Sequence, residues 1–295
     1  MASLLDAQML TRTKVAMGTY VSISLDASKK REFAPAFSIV KAVDSSLSSY
    51  KKNSPIFQLN RDKKVKLDAY SLEALRLSER YYKRTDGYFN VAIGSITKDL
   101  YHFGEDERLP DAEALKRSDV NIAALHIKNG IATIAKSMKI DLGGMGKGFC
   151  VDKVSAYLRK KGIKKARVAA SGDIRCLSRC PIDVQNPFGE KPLYSFTTKE
   201  ADMGISTSGN YNRYVGTSKE NHLINPKQKH PQREFVSITL ISKLPNSDLD
   251  AYATAASVMP KAKALKFLET LNTAYILLTI QGELLISKNI TAFSE

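Results

Sequence analysis

The sequence predicts an α+β fold, and three observations carry that prediction. Short alternating apolar stretches of strand type occur at 15–25, 166–170 and 235–242. Runs with helical periodicity occupy 32–48, 70–84 and 148–161. The two kinds intermix without the strict alternation of a doubly wound sheet, and no internal repeat or linker-like segment divides the chain.

The elements can be justified in order. Val15, Met17, Val21, Ile23 and Leu25 point one way with polar or small residues between them, which predicts one half-buried strand. Gly18 interrupts it and marks a bulge, a bend or the close approach of a ligand. Phe33, Phe37, Val40, Val43 and Leu47 recur at helical spacing before Ser48-Ser49-Tyr50. A second amphipathic helix (Leu72, Leu75, Tyr82) stops at Asp86-Gly87. Asn129-Gly130, flanked by Leu125, Ile127, Ile131 and Ile134, is a hairpin signal. The helix 148–161 stops at Gly162, and the strand 166–170 leads to the turn Ser171-Gly172-Asp173. Pro245-Asn246-Ser247-Asp248 has helix-start chemistry after the strand 235–242. Pro260 opens a last helix through Leu271, and a closing hairpin pairs 273–280 with 284–287 across Gln281-Gly282.

With 295 residues, 43% of them hydrophobic, the chain can bury a large core. Its net charge is +15, carried by short basic clusters such as Lys29-Lys30-Arg31 and Arg159-Lys160-Lys161 at segment ends. Solvated ends account for most of them; the functional counterpart is attraction of an anionic ligand or partner. No aromatic nucleic-acid strand motif, zinc-finger spacing or leucine heptad is present, so nucleic acid is not an expected partner. Cys176 and Cys180 lack a nearby histidine pair, which argues against zinc; the three cysteines are expected as buried free thiols, one disulfide being the alternative. No run approaches membrane-spanning length, and Met1-Ala2-Ser3-Leu4-Leu5-Asp6 is no export signal. Retention in the cytoplasm and loss of a leader both remain open on that basis.

The most informative stretch is Ile140-Asp141-Leu142-Gly143-Gly144-Met145-Gly146-Lys147-Gly148, directly before a helical run. Glycines let backbone approach an anionic ligand, and a lysine neutralises its charge. The spacing fits neither a Walker loop nor a dinucleotide fingerprint. Asp250 and Thr254, four apart on one helix face, can both reach one hard cation, as Mg²⁺ beside a phosphate requires. Ordinary dipole chemistry and a back-bonded threonine explain the same pair. His222 sits between loop signals and could serve as a general base or simply as a turn histidine. Tyr50 and Tyr88-Phe89-Asn90 offer rings and an amide for an aromatic base, or for packing.

In this order the motifs resemble the ApbE family of FAD:protein FMN transferases. The likeness runs from Met17-Gly18-Thr19 through Ser48-Ser49-Tyr50, Asn60, Gly87-Tyr88-Phe89-Asn90, Ile140 to Gly148 and Asp152. It continues through Ser171-Gly172-Asp173-Ile174-Arg175, Thr207-Ser208-Gly209-Asn210-Tyr211, His222-Leu223-Ile224-Asn225-Pro226 and Asp250-Ala251-Tyr252-Ala253-Thr254-Ala255. It implies a T-fold-like single domain over 13–295, with 1–12 as an N-terminal extension. It implies Mg²⁺-dependent transfer of FMN from FAD to a Thr or Ser hydroxyl of an acceptor flavoprotein subunit, with release of AMP. FAD would contact Met17, Tyr50, Tyr88, Phe89, Asn90, Asp141 and Lys147. Asp250, Thr254 and the Gly144 carbonyl would hold Mg²⁺, and His222 with Asp250 would carry the catalysis. Such relatives imply a place in the periplasm or on the outer face of the inner membrane, a cytoplasmic one being the alternative. A FAD pyrophosphatase giving FMN and AMP, or a non-catalytic FAD-binding protein, would use the same residues. The chain departs from the family pattern at Asn90 and Asn225 (usually Asp), Lys229 and Ser171 (usually Gly) and Ser95 (often Pro).

Overall fold

The computed structural model describes residues 9–211 and 213–295. Strands β1 (Met9–Ala16) and β2 (Thr19–Asp26) form the first hairpin. The single strand expected over 15–25 is therefore two strands. Met17 and Gly18 both adopt positive φ (55° and 70°), the conformation a two-residue hairpin turn demands, so Gly18 marks a turn rather than a bulge. Val21, Ile23 and Leu25 face the core as expected, whereas Val15 is exposed. Residues 9–12, assigned above to an extension, already pair with β2; residues 1–8 lie outside the described residues.

Helix α1 (Phe33–Leu47) buries its expected apolar face, and α2 (Pro55–Asp62) starts at the Ser54 cap. After β3 (Lys64–Lys66), helix α3 (Ala69–Arg84) opens with a capping box between Asp68 and Ser71. Short α4 (Gly94–Thr97) and α5 (Ala112–Arg117) precede the hairpin β4 (His126–Lys128) and β5 (Ile131–Thr133), which turns at Asn129-Gly130. Helix α6 (Gly146–Lys160) follows the glycine-rich loop. Then come β6 (Ala166–Ala170), β7 (Asp173–Cys176), β8 (Pro181–Val184), β9 (Tyr194–Thr197) and β10 (Met203–Gly209). A small ladder of β11 (Ile224–Asn225) and β12 (His230–Pro231) leads to β13 (Phe235–Ser242). Helices α7 (Asn246–Ser257) and α8 (Lys261–Glu269) precede the closing hairpin β14 (Ala274–Thr279) and β15 (Leu284–Ile286).

One antiparallel sheet organises the molecule, in the order β1-β2-β6-β7-β10-β13-β14-β15. Its two faces follow from the strand period of two. Ile238, Leu240 and Leu277 point to one face and join the large core with α1, α6 and α7. Ile241 and Ile276 point to the other and pack under the β8–β9 hairpin through Ile182, Val184 and Phe196. This is the mixed α+β architecture the sequence predicts. Cys176 and Cys180, expected as free thiols, are joined in a disulfide with Cα atoms 6.1 Å apart. They sit four apart across the end of β7, which brings the sulfurs together; Cys150 is the buried free thiol. Among the described residues no helix is long and apolar enough to cross a membrane.

Candidate active site

The glycine-rich loop is held from below by one amide. Asn60 on α2 donates to the Ile140 carbonyl (2.8 Å) and accepts from the Ile140 N–H (2.7 Å), which fixes the strand-like entry to the loop. The Asp141 N–H donates to the Val91 carbonyl, and its carboxylate accepts from the Gly143 N–H (2.8 Å), folding an Asx-type turn. The chain then rises into α6, whose first turn lies against α7. A Cβ on Gly148 would stand 2.2 Å from the Asn246 carbonyl oxygen, so only glycine lets the two helices approach this closely. Asp152, one turn along α6, accepts from the N–H groups of Asn246 and Ser247 (2.8 Å each) and so caps α7 from outside it. Burial raises the Asp152 carboxyl while those N–H groups pull the other way.

This approach assembles a charged centre. Lys147 reaches both carboxylate oxygens of Asp250 (3.4 Å) and lies 3.1 Å from Asp173 Oδ2. The Asp250 carboxylate also accepts from the Gly148 N–H (3.1 Å). Both acids are buried, so two carboxylates share one ammonium in a place that water barely reaches. The ionisation behaviour follows. Burial alone would lower Lys147, but Asp173 and then Asp250 hold it above its ordinary value. Asp173 is pushed well above the usual carboxylate range by burial and by the charge of Asp250. Although Asp173 Oδ2 is close to Lys147, it lacks a well-directed hydrogen bond among the described residues. With both acids ionised the centre is short of one positive charge, and the raised Asp173 carboxyl is the consequence.

Oxygen donors converge beside it. Thr254, the one residue of α7 that is not buried, lies with Oγ1 3.3 Å from the Gly144 carbonyl and 3.3 Å from Ser208 Oγ on β10. A Cβ on Gly144 would stand 2.9 Å from Thr254 Cγ2 and 3.3 Å from the Phe89 ring, closing this cradle. Carboxylate, hydroxyl and carbonyl oxygen are the hard donors that suit Mg²⁺, and the unneutralised carboxylate charge suits a dication. The three residues the sequence singled out for a metal are therefore brought together.

A second cationic pole faces this one. Asp141 accepts from Thr97 Oγ1 (2.7 Å) and lies 3.6 Å from the Lys98 ammonium. Burial opposes its ionisation, but Lys98, Thr97 and the Gly143 N–H hold the carboxyl at about 2. Lys98 stands 4.2 Å over the Tyr50 ring and contacts the Tyr50 hydroxyl, which donates to the Phe103 carbonyl (2.6 Å). Arg213 reaches the same hydroxyl at 3.3 Å and covers the Phe103 ring. Half-buried His222 has Nδ1 3.1 Å from the Arg213 carbonyl. A carbonyl only accepts, so Nδ1 carries the proton and Nε2 keeps the lone pair. Burial lowers the imidazole to about 4, so it is neutral near pH 7.

Every site residue expected from the sequence lines one cavity of about 1070 Å³. Their exposure differs. Tyr50 is open, and Tyr88 lies under Lys227 and Lys263 (4.5 and 4.7 Å), which share Asp86 Oδ2 and so cover the same side of its ring. Met17 enters from the hairpin tip. Phe89 is largely core, edge-on to Tyr81. Asn90 is already committed: it donates to the Val120 carbonyl (2.8 Å) and accepts from the Ala92 N–H (2.9 Å). An aspartate could not make the first bond. Asn225 likewise donates to the Val258 carbonyl (2.7 Å) while its oxygen accepts from the N–H groups of Lys227 and Gln228. Ser95 accepts from the Lys139 N–H. Ser171 (φ 56°) and Lys229 (φ 60°), the two replacements of a usual glycine, both hold the left-handed conformation. Sequence reasoning missed Asp173, Lys98 and Arg213 as site residues. Asp173 was legible as a turn residue and as part of the matched run Ser171 to Arg175, without a role, since nothing in the chain shows which lysine it meets.

The sequence model of the ApbE family matches residues 17–277. The FAD:protein FMN transferase of Haemophilus influenzae is 26% identical over 297 residues, spanning 92% of this chain and 85% of that protein. Among solved structures, the ApbE protein of Thermotoga maritima superposes with a TM-score of 0.88 at 21% identity, covering 98% of this chain and 100% of its own. The flavin transferase ApbE of Vibrio cholerae gives 0.83 at 24% identity, covering 97% and 99%.

Proposed function

The chain belongs to the ApbE family, and on that premise we propose that it is a FAD:protein FMN transferase that moves FMN from FAD to a Thr or Ser hydroxyl of an acceptor protein. The observation that carries the reading is the joining of two poles in one cavity: oxygen donors with surplus negative charge, and cations facing them. In the reaction the acceptor oxygen bonds to the FMN phosphorus, the bond to the bridging oxygen breaks, and AMP leaves with that oxygen. The acceptor proton goes to His222 Nε2. A poor nucleophile attacking a phosphoanhydride needs placement and charge neutralisation above all.

Asp250, Thr254 and the Gly144 carbonyl would hold Mg²⁺, with Asp173 adding charge from behind. When bound, the ion neutralises phosphate oxygens and the charge growing on the leaving group. Lys147 adds a fixed ammonium on the same side. Tyr50 and Tyr88 present ring faces to the flavin or adenine, and Asp141 offers an ionised acceptor to ring or ribose donors. We propose further that the acceptor is a flavoprotein subunit, met at the periplasmic or outer face of the inner membrane.

Release of AMP from FAD, followed by ³¹P NMR with and without a threonine-bearing acceptor domain, tests the reading. The expected result is release that requires Mg²⁺, stops with EDTA and is strongly accelerated by the acceptor. Equal release with and without acceptor would replace the transferase by a pyrophosphatase. Binding of FAD with no AMP at all would leave a flavin carrier.

A further inference from the structure

The cavity has a second lobe that no flavin or metal assignment uses. It lies on the far face of the sheet, under the β8–β9 hairpin. Its floor is Arg167, Ile174 and Ile205, whose side chains alternate away from the helix layer. Its wall is unusual: Ile182, Asp183, Val184 and Gln185 line it consecutively. Side chains of a strand alternate, so lining by the three consecutive strand residues Ile182, Asp183 and Val184, with Gln185 just beyond β8, means that the cavity runs along the strand's edge. β8 pairs with β9 on one side, and among the described residues its other edge, with backbone N–H and C=O groups, is unpaired.

Arg167 supplies a second, independent observation. Its Nε is buried and finds no hydrogen-bond partner among the described residues. Burial lowers the guanidinium, and the nearby Asp183 only partly offsets this. A guanidinium with an unused buried donor calls for an acceptor from outside. The lobe is continuous with the charged centre around the strand ends. On β10, Ile205 and Thr207 face the lobe while Ser208, between them and α7, touches Thr254. A chain lying in the lobe therefore ends beside the metal donors.

Resting on the transferase reading, we propose that this lobe is the acceptor groove. An extended acceptor segment adds to the free edge of β8, with an acidic side chain on Arg167, and its hydroxyl reaches over the turn Ser171-Gly172 to the phosphates. Edge addition gives register through the backbone and selects through alternate side chains. The net charge of +15 favours an acidic partner over a basic one.

The test is a peptide library with one fixed threonine and every residue type in turn at the flanking positions. It is incubated with the full chain, FAD and Mg²⁺ and read by FMN mass gain. The wild type should favour Asp or Glu at one flanking position. Arg167→Gln should raise KM for the best acidic peptide by about tenfold, with kcat and FAD affinity within twofold. Arg167→Glu should shift the preference to Lys or Arg at that position. Modified peptides with no acidic preference, or a preference that survives Arg167→Gln, would overturn the groove but leave the transferase standing. Loss of FAD affinity in Arg167→Gln would assign the lobe to the flavin instead. No modified peptide with any enzyme would count against the transferase reading itself.

Discussion

Gly148→Ala is the substitution whose consequence can be worked furthest. The new Cβ would stand 2.2 Å from the Asn246 carbonyl oxygen, 2.6 Å from its carbon and 2.8 Å from Asp250 Cβ. None of these atoms is the tip of a flexible side chain, so the N-terminus of α7 must retreat by about 1 Å to restore contact. The retreat stretches the Gly148–Asp250 hydrogen bond (3.1 Å) and both Asp152 caps (2.8 Å). Overpacking costs about 1–3 kcal/mol, and weakening hydrogen bonds to charged groups brings the total to about 3–5 kcal/mol. A displacement of that size at Asp250 also lowers turnover by about a hundredfold. Gly146→Ala is the control two residues away. There the Cβ meets only Met17 Cε at 3.5 Å, and the change should lie between neutral and about 1 kcal/mol stabilising. Urea unfolding and AMP release on both variants check this. A Gly148→Ala protein within about 0.5 kcal/mol of wild type, with ordinary turnover, would refute the claim that helix contact positions the site.

Other outcomes follow from the same geometry. Asp250→Asn keeps an acceptor for the Gly148 N–H but removes charge, so half-saturation by Mg²⁺ should rise by about a hundredfold in an AMP-release titration; an unchanged midpoint would remove Asp250 from the metal site. His222 is neutral in the folded protein down to about 4, against an ordinary 6.5, so its contribution to stability is full above 6.5 and is lost as pH falls toward 4. His222→Gln should flatten the stability profile over that window and slow transfer more than FAD binding; an unaltered profile would contradict the burial argument. Ser171→Gly relieves a left-handed serine whose side chain is exposed and should stabilise by up to about 1 kcal/mol in urea unfolding.

Much of this was legible in the chain because local rules decided it. The strand 235–242 and the helix 70–84 follow from periodicity and caps that no distant contact overrides. The hairpin at Asn129-Gly130 was readable because that dipeptide accepts positive φ cheaply. At Met17-Gly18 the same turn was hidden, since methionine is a poor residue for positive φ and the flanking alternation runs through it. The Asp250/Thr254 pair shares a helix face, so spacing permitted a joint role, but only the family resemblance chose it over dipole chemistry and a back-bonded threonine. Asp173 and Lys147 meet only through tertiary packing, and no spacing rule reaches across 26 residues and three elements. Asn90 shows the converse. Its type and place suggested a ligand contact, yet neighbouring backbone uses both ends of its amide.

The most direct measurement is the intact mass of a threonine-bearing acceptor domain after incubation with this protein, FAD and Mg²⁺. The account predicts a gain of one FMN, lost with EDTA, lost when the acceptor threonine is replaced by alanine, and matched by one AMP. AMP and free FMN with an unmodified acceptor would contradict it.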